Sequence, residues 1–352
     1  MPPIPDSYFP IEEIARFPLP GMIAPNTFAF SPETGLLTYL FSPESSLTRQ
    51  LYGYDFQSGK ARLLAAPTDG GTTEENISRE EALRRERARQ MSLGITQYLW
   101  APQVDRMIIP ISGAIFVMDY PDTSLRKLAG GNGTPLIDPR FSPDGNWVSY
   151  VMDGEIYLVP FEGGIPRQLT HGAHETGKTN GLAEYIAQEE MERRQGYWWS
   201  PDGKLIAFEE VDETHIPVYP ILHQGMDSTG EDALENHHYP FAGKSNAHVR
   251  LGIVPSAGGN PVWMDLGEDE DLYLARVRWL PNGNLAVQIL NREQTLLKLL
   301  QLDPITGKST LLLEEKNDIW VNLHNCFYPL KDGRLIWASE RTGFRHLYLS
   351  DH

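Results

Sequence analysis

The sequence predicts an all-β protein, a β-propeller of four-stranded blades, from three features of its 352 residues. A three-residue step of an aromatic residue, any residue and a proline recurs six times. Turn signals such as Asp-Gly follow several of these steps, and short β-rich runs follow the turns. The shortest spacing, from Pro102 to Pro143, is about 40 residues, the length of one four-stranded blade. The six steps are Phe30-Ser-Pro32, Trp100-Ala-Pro102, Phe141-Ser-Pro143, Trp199-Ser-Pro201, Trp279-Leu-Pro281 and Phe327-Tyr-Pro329.

The strands of each repeat are predicted from the residues around the turns. Residues 143–151 have the sequence Pro-Asp-Gly-Asn-Trp-Val-Ser-Tyr-Val, and residues 201–208 have Pro-Asp-Gly-Lys-Leu-Ile-Ala-Phe. Because glycine adopts positive φ at low cost, Asp-Gly between apolar runs predicts a tight turn between two strands. A second strand pair follows in the third repeat, at residues 155–159 and 166–169. We predict about six blades, and a β-sandwich with similar turns is the alternative.

The longer spacings predict insertions between strands, and two of these carry helix signals. Ser78 and Glu81 form a capping box at the start of a run of good helix formers. Leu182, Tyr185 and Ile186 form an apolar stripe with helical spacing. We therefore predict one partial propeller over residues 1–352, with helical insertions near 76–93 and 181–195.

The charge of the chain excludes some classes of partner. Its 47 acidic and 30 basic residues give a net charge of −17. This balance argues against nucleic acid and against an anionic membrane surface, and it fits a cationic ligand such as a peptide amine. Cys326 is the single cysteine, so an internal disulfide is excluded. The sequence shows neither a transmembrane run nor a signal peptide, so we expect a cytoplasmic protein, although a chain trimmed of its leader would look the same.

Two adjacent carboxylates, Glu189 and Glu190, lie three and four residues after Ile186, the last residue of the apolar stripe in the second insertion. Adjacent side chains can converge on a helix, whereas on a strand they point to opposite faces. We expect the two carboxylates to continue the inward face of the helix. There they could accept charge-assisted hydrogen bonds from one protonated amine and fix its position. The alternative is a pair of ordinary surface ion pairs at i, i+4 spacing, Glu189 with Arg193 and Glu190 with Arg194.

Residues 181–219 resemble the double-Glu region of the dipeptidyl peptidase IV family, and the cytosolic and bacterial members above all. The resemblance rests on the sequence Ala-Gln-Glu-Glu-Met-Glu-Arg-Arg-Gln-Gly-Tyr-Trp-Trp-Ser-Pro-Asp-Gly, residues 187–203, and on its flanks. It implies that Glu189 and Glu190 hold the free α-amine of a peptide substrate. It also implies a serine-type dipeptidyl aminopeptidase that releases N-terminal dipeptides, Xaa-Pro or Xaa-Ala.

Two further segments resemble parts of the same family. Residues 78–89, with the sequence Ser-Arg-Glu-Glu-Ala-Leu-Arg-Arg-Glu-Arg-Ala-Arg, are similar to its arginine-bearing segment. The similarity implies that Arg89 contacts the substrate backbone, with Arg85 as the second choice and a solvated helix as the other interpretation. His324 lies where the family places a wall of the pocket for the second substrate residue. A core histidine is the alternative there.

The sequence lacks several motifs that would indicate catalysis, phosphate binding or metal binding. It contains no Gly-x-Ser-x-Gly nucleophile elbow and no phosphate-binding loop. Two histidine pairs, His171 with His174 and His237 with His238, could suggest a metal site, but no third ligand lies at a spacing typical of one. We therefore predict no metal and no cofactor.

The resemblance also implies what lies outside residues 1–352. The family's propeller has eight blades and is followed by an α/β-hydrolase domain that carries the Ser, Asp and His triad. We therefore expect this chain to be inactive alone and to partner a hydrolase domain of the same polypeptide. A stand-alone propeller that binds a protein or peptide without cutting it is the alternative function, and an exopeptidase of altered specificity is another. The sequence leaves a homodimer open.

Overall fold

The fold is nearly all β, as predicted. It is seen in a computed structural model, which describes residues 11–19, 21–43, 46–67, 85–87, 92–131, 133–222 and 234–350. These residues form six sheets of the blade type and one separate hairpin. Their contacts divide the chain into two compact units, Met1–Ser149 with Val159–Ile165, and Tyr150–Leu158 with Pro166–His352.

The first three sheets are antiparallel, apart from one short parallel strand that is added to the first. That sheet has the order β1-β2-β3-β4, with β5 beside β3: β1 (Asn26–Phe30), β2 (Leu37–Phe41), β3 (Thr48–Asp55), β4 (Lys60–Ala65) and β5 (Leu93–Gly94). The second has four strands in sequence order: β6 (Leu99–Trp100), β7 (Arg106–Ile111), β8 (Ala114–Asp119) and β9 (Arg126–Ala129). The third sheet also has four strands in sequence order: β10 (Ile137–Phe141), β11 (Trp147–Met152), β12 (Glu155–Pro160) and β13 (Arg167–Gln168).

The other sheets follow the same antiparallel plan. The fourth has the order β14-β16-β19-β20, with β15 also beside β16: β14 (Lys178–Asn180), β15 (Tyr197–Trp199), β16 (Leu205–Asp212), β19 (His248–Pro255) and β20 (Val262–Trp263). The separate hairpin is β17 (Val218–Leu222) with β18 (Leu234–His238). The fifth sheet is β21 (Leu272–Trp279), β22 (Leu285–Asn291), β23 (Leu296–Leu302) and β24 (Ser309–Lys316). The sixth is β25 (Phe327–Pro329), β26 (Leu335–Ser339) and β27 (His346–Ser350).

The recurring aromatic-X-Pro step lies at the end of a strand, before the turn into its neighbour. In the third sheet, Ser142 N–H donates to the Trp147 carbonyl at 2.9 Å, and Trp147 N–H donates to Ser142 Oγ at 3.0 Å. Ser200 and Leu205 make the same two bonds in the fourth sheet, both at 2.9 Å. The serine of the repeat therefore closes the hairpin turn that the sequence pattern predicted.

Burial on both faces of the fifth sheet distinguishes blades from a two-layer sandwich. On β22, Leu285, Val287 and Ile289 pack with residues of the fourth sheet. The alternate residues Ala286 and Leu290 pack with residues of the sixth sheet. Successive side chains of a strand point to opposite faces, so this sheet is covered on both sides, as a propeller blade is.

Helix is a minor component of the described chain. Helix α1 spans Ile11–Ala15, helix α2 spans Tyr185–Glu189, and residues 85–87 are also helical. None of the helices in the described ranges has the length and apolar character needed to cross a bilayer. The predicted capping box of the first insertion, Ser78 with Glu81, lies outside the described residues.

Candidate functional site

The double-Glu segment leaves the fourth sheet after β14 and returns to it at β15. Its two ends meet at an antiparallel bridge between Leu182 and Gln195. Gly196 packs so closely there that a Cβ atom would lie 2.5 Å from backbone atoms of Gly181 and Leu182. Gly181 has a φ of +88°, and its N–H donates to the Glu209 carbonyl at 2.8 Å. The two glycines therefore close the base of the segment.

We expect Gly196→Ala to destabilise the protein by about 3 kcal/mol, because the new methyl group meets backbone atoms that cannot rotate away. Gly283→Ala is the control, since Gly283 has a φ of +86° but open space around it. Its cost should be limited to the left-handed conformation, about 1–2 kcal/mol. Urea denaturation measures both changes, and an equal loss in the two variants would contradict the closed base.

A buried carboxylate caps the N-terminus of helix α2. Both oxygens of Glu184 accept hydrogen bonds, from the backbone N–H of Ile186 at 2.5 Å and of Ala187 at 2.6 Å. Burial and the nearby Glu209 carboxylate raise the pKa of Glu184 to about 7, against the opposite effects of Arg193 and of these two bonds. The sequence did not reveal this role, because Ser, Thr, Asp and Asn are the usual N-cap residues.

Glu189 is the last residue of helix α2, and Glu190 is its C-cap. Both side chains are exposed, which corrects the expectation that they continue the inward face. The reason is that the helix ends at Glu189, and it is Met191 after the turn that is buried. The two exposed carboxylates therefore lie at the C-terminal end of the helix, where a positively charged group is the favourable kind of ligand.

The turn after the two carboxylates is anchored by a buried ion pair. Arg193 makes two bonds to the Glu209 carboxylate, at 2.6 and 2.9 Å, and both side chains are almost fully buried. It also donates to the carbonyls of Leu274 at 2.9 Å and Gln195 at 2.8 Å. Arg193 is therefore not the surface partner of Glu189 that the alternative interpretation requires. Sequence reasoning missed Glu209, although a charged residue within an apolar strand was a possible signal.

His324 lines a cavity of about 130 Å³ beside the sixth sheet. Its ring lies edge-on to Trp337 at 4.6 Å, and its Nδ1 accepts a hydrogen bond from Cys326 N–H at 3.2 Å. Burial lowers the pKa of His324, which favours the neutral ring. Other residues of the lining are Glu315, Trp320, Asn322, Ser339 and Arg341. The ring is thus half-buried at a cavity wall, and a part in substrate binding remains a prediction.

Helix α2 and the cavity share one hydrophobic cluster in the second unit. Met191 belongs to this cluster, and Ile186 packs against it. Val321 and Trp337, which line the cavity, belong to it too. The structure therefore brings the double-Glu segment and the His324 segment onto the same core.

Of the two arginine candidates, the structure describes Arg85, which belongs to the first unit. Arg89 lies outside the described residues. Arg85 is helical and half-buried, and burial lowers its pKa. Contact of either arginine with a substrate stays a prediction.

The described histidines do not form a metal site. Within the described ranges no group of three or more His, Cys, Asp or Glu side chains could hold a metal ion. His215 instead stacks on His248, with ring centroids 4.2 Å apart, and its Nε2 is 2.8 Å from the Asn246 carbonyl. That contact ties the end of β16 to the start of β19.

The six blade-like sheets define the fold as that of a β-propeller, and comparison with known proteins gives its family. A family model described as "Dipeptidyl peptidase IV (DPP IV) N-terminal region" matches residues 104–352. The chain belongs to this family, as the resemblance predicted.

The chain spans less than half the length of each relative described below. Dipeptidyl peptidase 8 of Mus musculus is 28% identical over 335 residues, which cover 77% of this chain and 37% of the relative. Inactive dipeptidyl peptidase 10 of Rattus norvegicus is 27% identical over 188 residues, or 51% of this chain and 23% of the relative. The crystal structure of Porphyromonas gingivalis dipeptidyl peptidase 4 matches with a TM-score of 0.71 and 22% identity, over 98% of this chain and 47% of that one. The last match supports the fold alone.

Proposed function

We propose that this chain is the substrate-recognition part of a serine-type dipeptidyl aminopeptidase, in which Glu189 and Glu190 bind the free N-terminal amine of a peptide. The observation that carries the proposal is the pair of exposed, adjacent carboxylates at the end of helix α2. The turn that follows them is anchored by the buried ion pair between Arg193 and Glu209. The names of the relatives support the class of activity.

The chemistry follows from the amine itself. A protonated N-terminus offers three donors and one positive charge, and two carboxylates can accept two of these bonds and balance the charge. A single carboxylate would allow many positions of the amine, whereas two restrict it to one. The scissile bond then lies a constant number of atoms away, which yields dipeptides. Xaa-Pro or Xaa-Ala cleavage by a hydrolase domain of the same polypeptide, and a cytoplasmic location, are parts of this proposal.

The direct test compares free and N-acetylated substrates on the whole polypeptide that contains this chain. We expect a free Xaa-Pro chromogenic substrate to be cleaved, and its acetylated form to lose at least about tenfold in kcat/KM, because one charge-assisted interaction is removed. A serine-reactive inhibitor should stop the reaction. Equal cleavage of both substrates would contradict amine anchoring.

A propeller that binds peptides without cutting them is the second candidate function. It is favoured by one observation, that a relative of this chain is named an inactive dipeptidyl peptidase. In that case the whole polypeptide would bind a free-amine peptide but release no dipeptide. Loss of binding on N-acetylation would then support the amine anchor without catalysis.

A further inference from the structure

One guanidinium group in the second unit joins the two predicted substrate-contacting segments. Arg276 lies on β21, and its Nη1 donates to the Met191 carbonyl at 2.8 Å and to the Ala275 carbonyl at 2.7 Å. Its Nε donates to Asn325 Oδ1 at 2.6 Å. Met191 directly follows Glu190, and Asn325 directly follows His324.

The geometry of this contact suits a rigid spacer. The guanidinium is planar and presents its donors at constant angles, so bonds on two of its sides hold two partners at a set separation. Burial together with the nearby Arg193 lowers the pKa of Arg276, but arginine keeps its charge at neutral pH. A cation is also a favourable partner for a carbonyl just beyond a helix C-terminus.

The turn that Arg276 holds has further anchors on either side of the Met191 carbonyl. Met191 packs its side chain into the shared core, and Arg193 is bonded to Glu209 two residues later. Neither contact reaches the His324 segment through a hydrogen bond. Among the described residues, Arg276 provides the one hydrogen-bonded link between the turn at Met191 and the segment at Asn325.

We propose that Arg276 is a positioning residue that sets the separation between the amine-binding carboxylates and the His324 wall of the cavity. This inference rests on the proposed function and extends it to a residue that need not contact the substrate. The separation decides whether a peptide held by its amine also places its second side chain against that wall.

A matched control lies two residues along the same strand. Arg278 donates from Nη1 to the Phe327 carbonyl at 2.7 Å, so it also bonds to the chain just after His324. Residues i and i+2 of a strand share a face, and both side chains carry the same charge. Arg278 makes no hydrogen bond to the Met191 turn among the described residues. Substitution of Arg276 or of Arg278 by glutamine therefore removes one positive charge and one bond to the segment that follows His324. An effect of either loss alone should be the same in both variants.

The experiment measures kcat/KM for free and N-acetylated chromogenic dipeptides with Arg276→Gln, Arg276→Lys and Arg278→Gln in the whole polypeptide. We expect Arg276→Gln to lower the ratio of free to acetylated kcat/KM by about tenfold, the effect of losing one well-placed hydrogen bond. Arg276→Lys should recover part of the ratio, because lysine can still donate to one carbonyl. Arg278→Gln should keep the wild-type ratio.

The outcomes separate this inference from the proposed function. A wild-type protein that does not prefer the free amine refutes the proposed function itself. A wild-type preference that Arg276→Gln retains, or that Arg278→Gln loses equally, refutes only the positioning role. Thermal unfolding of each variant accompanies the kinetics. If Arg276→Gln does not fold, Arg276→Lys decides, since a folded lysine variant with an unchanged ratio also refutes the positioning role.

Discussion

Glu189→Gln and Glu190→Gln should each reduce kcat/KM of the whole polypeptide for free-amine peptides by roughly ten- to more than a hundredfold. Each substitution keeps the shape of the side chain and removes one negative charge. The loss of one charge-assisted bond to the substrate amine is worth about 1.5–3 kcal/mol. Because both side chains are exposed, the folded state should lose little stability. Steady-state kinetics and thermal unfolding of the two variants measure the two effects separately.

The control for this experiment is Glu192→Gln, an exposed carboxylate in the same turn. It carries the same charge but lies beyond the buried Met191, so we expect its kcat/KM to stay within about twofold of the wild type. N-acetylated substrates give a second control. The Gln variants should lose little further activity on them, because the partner charge is already gone. A general loss of activity with all three variants and both substrates would indicate a field effect of the acidic surface and not a specific anchor.

The sequence predicted the architecture well because each repeat of the blade is marked by short sequence motifs. Aromatic-X-Pro steps and Asp-Gly turns depend on backbone conformation within a few residues, and the structure shows the serine of the step closing the turn. The six steps correspond to six sheets in the described residues. What the repeat could not show was the burial on each face of a sheet, which depends on the next sheet along the chain.

The candidate site was predicted less completely, because the residues that hold its turn in place are far apart in sequence. The helical stripe indicated a helix but placed the carboxylates on its inner face, whereas the helix ends at Glu189 and leaves them exposed. Glu209 is separated from Arg193 by a turn and a strand, and Arg276 lies in another sheet. The i, i+4 spacing of Glu189 and Arg193 suggested a surface pair. Burial of Arg193 against β16 overrode that local pattern.

The buried ion pair leads to the largest stability effect that we expect from one substitution. Arg193→Met removes the partner of Glu209, a carboxylate with no exposed surface, and should destabilise the protein by about 3–5 kcal/mol at neutral pH. Urea denaturation followed by tryptophan fluorescence measures the change. Glu210→Gln is the matched control, because Glu210 neighbours Glu209 on β16 but pairs with the exposed Arg250 at 3.2 Å. Its cost should stay below about 1 kcal/mol.

The loss of stability in Arg193→Met should depend on pH if its cause is the unpaired charge of Glu209. Burial already raises the pKa of Glu209 above its usual value, and Arg193 opposes that shift, so removing Arg193 should raise the pKa further. A carboxyl whose pKa is higher in the folded than in the unfolded protein favours folding at low pH, and this contribution is lost as pH rises through the folded pKa. The deficit should therefore shrink as pH falls from neutrality toward about 5, where the neutral carboxyl needs no partner. Adding Glu209→Gln to Arg193→Met should recover part of the stability at pH 7, whereas a pair that acted only through packing would give a deficit independent of pH and no recovery.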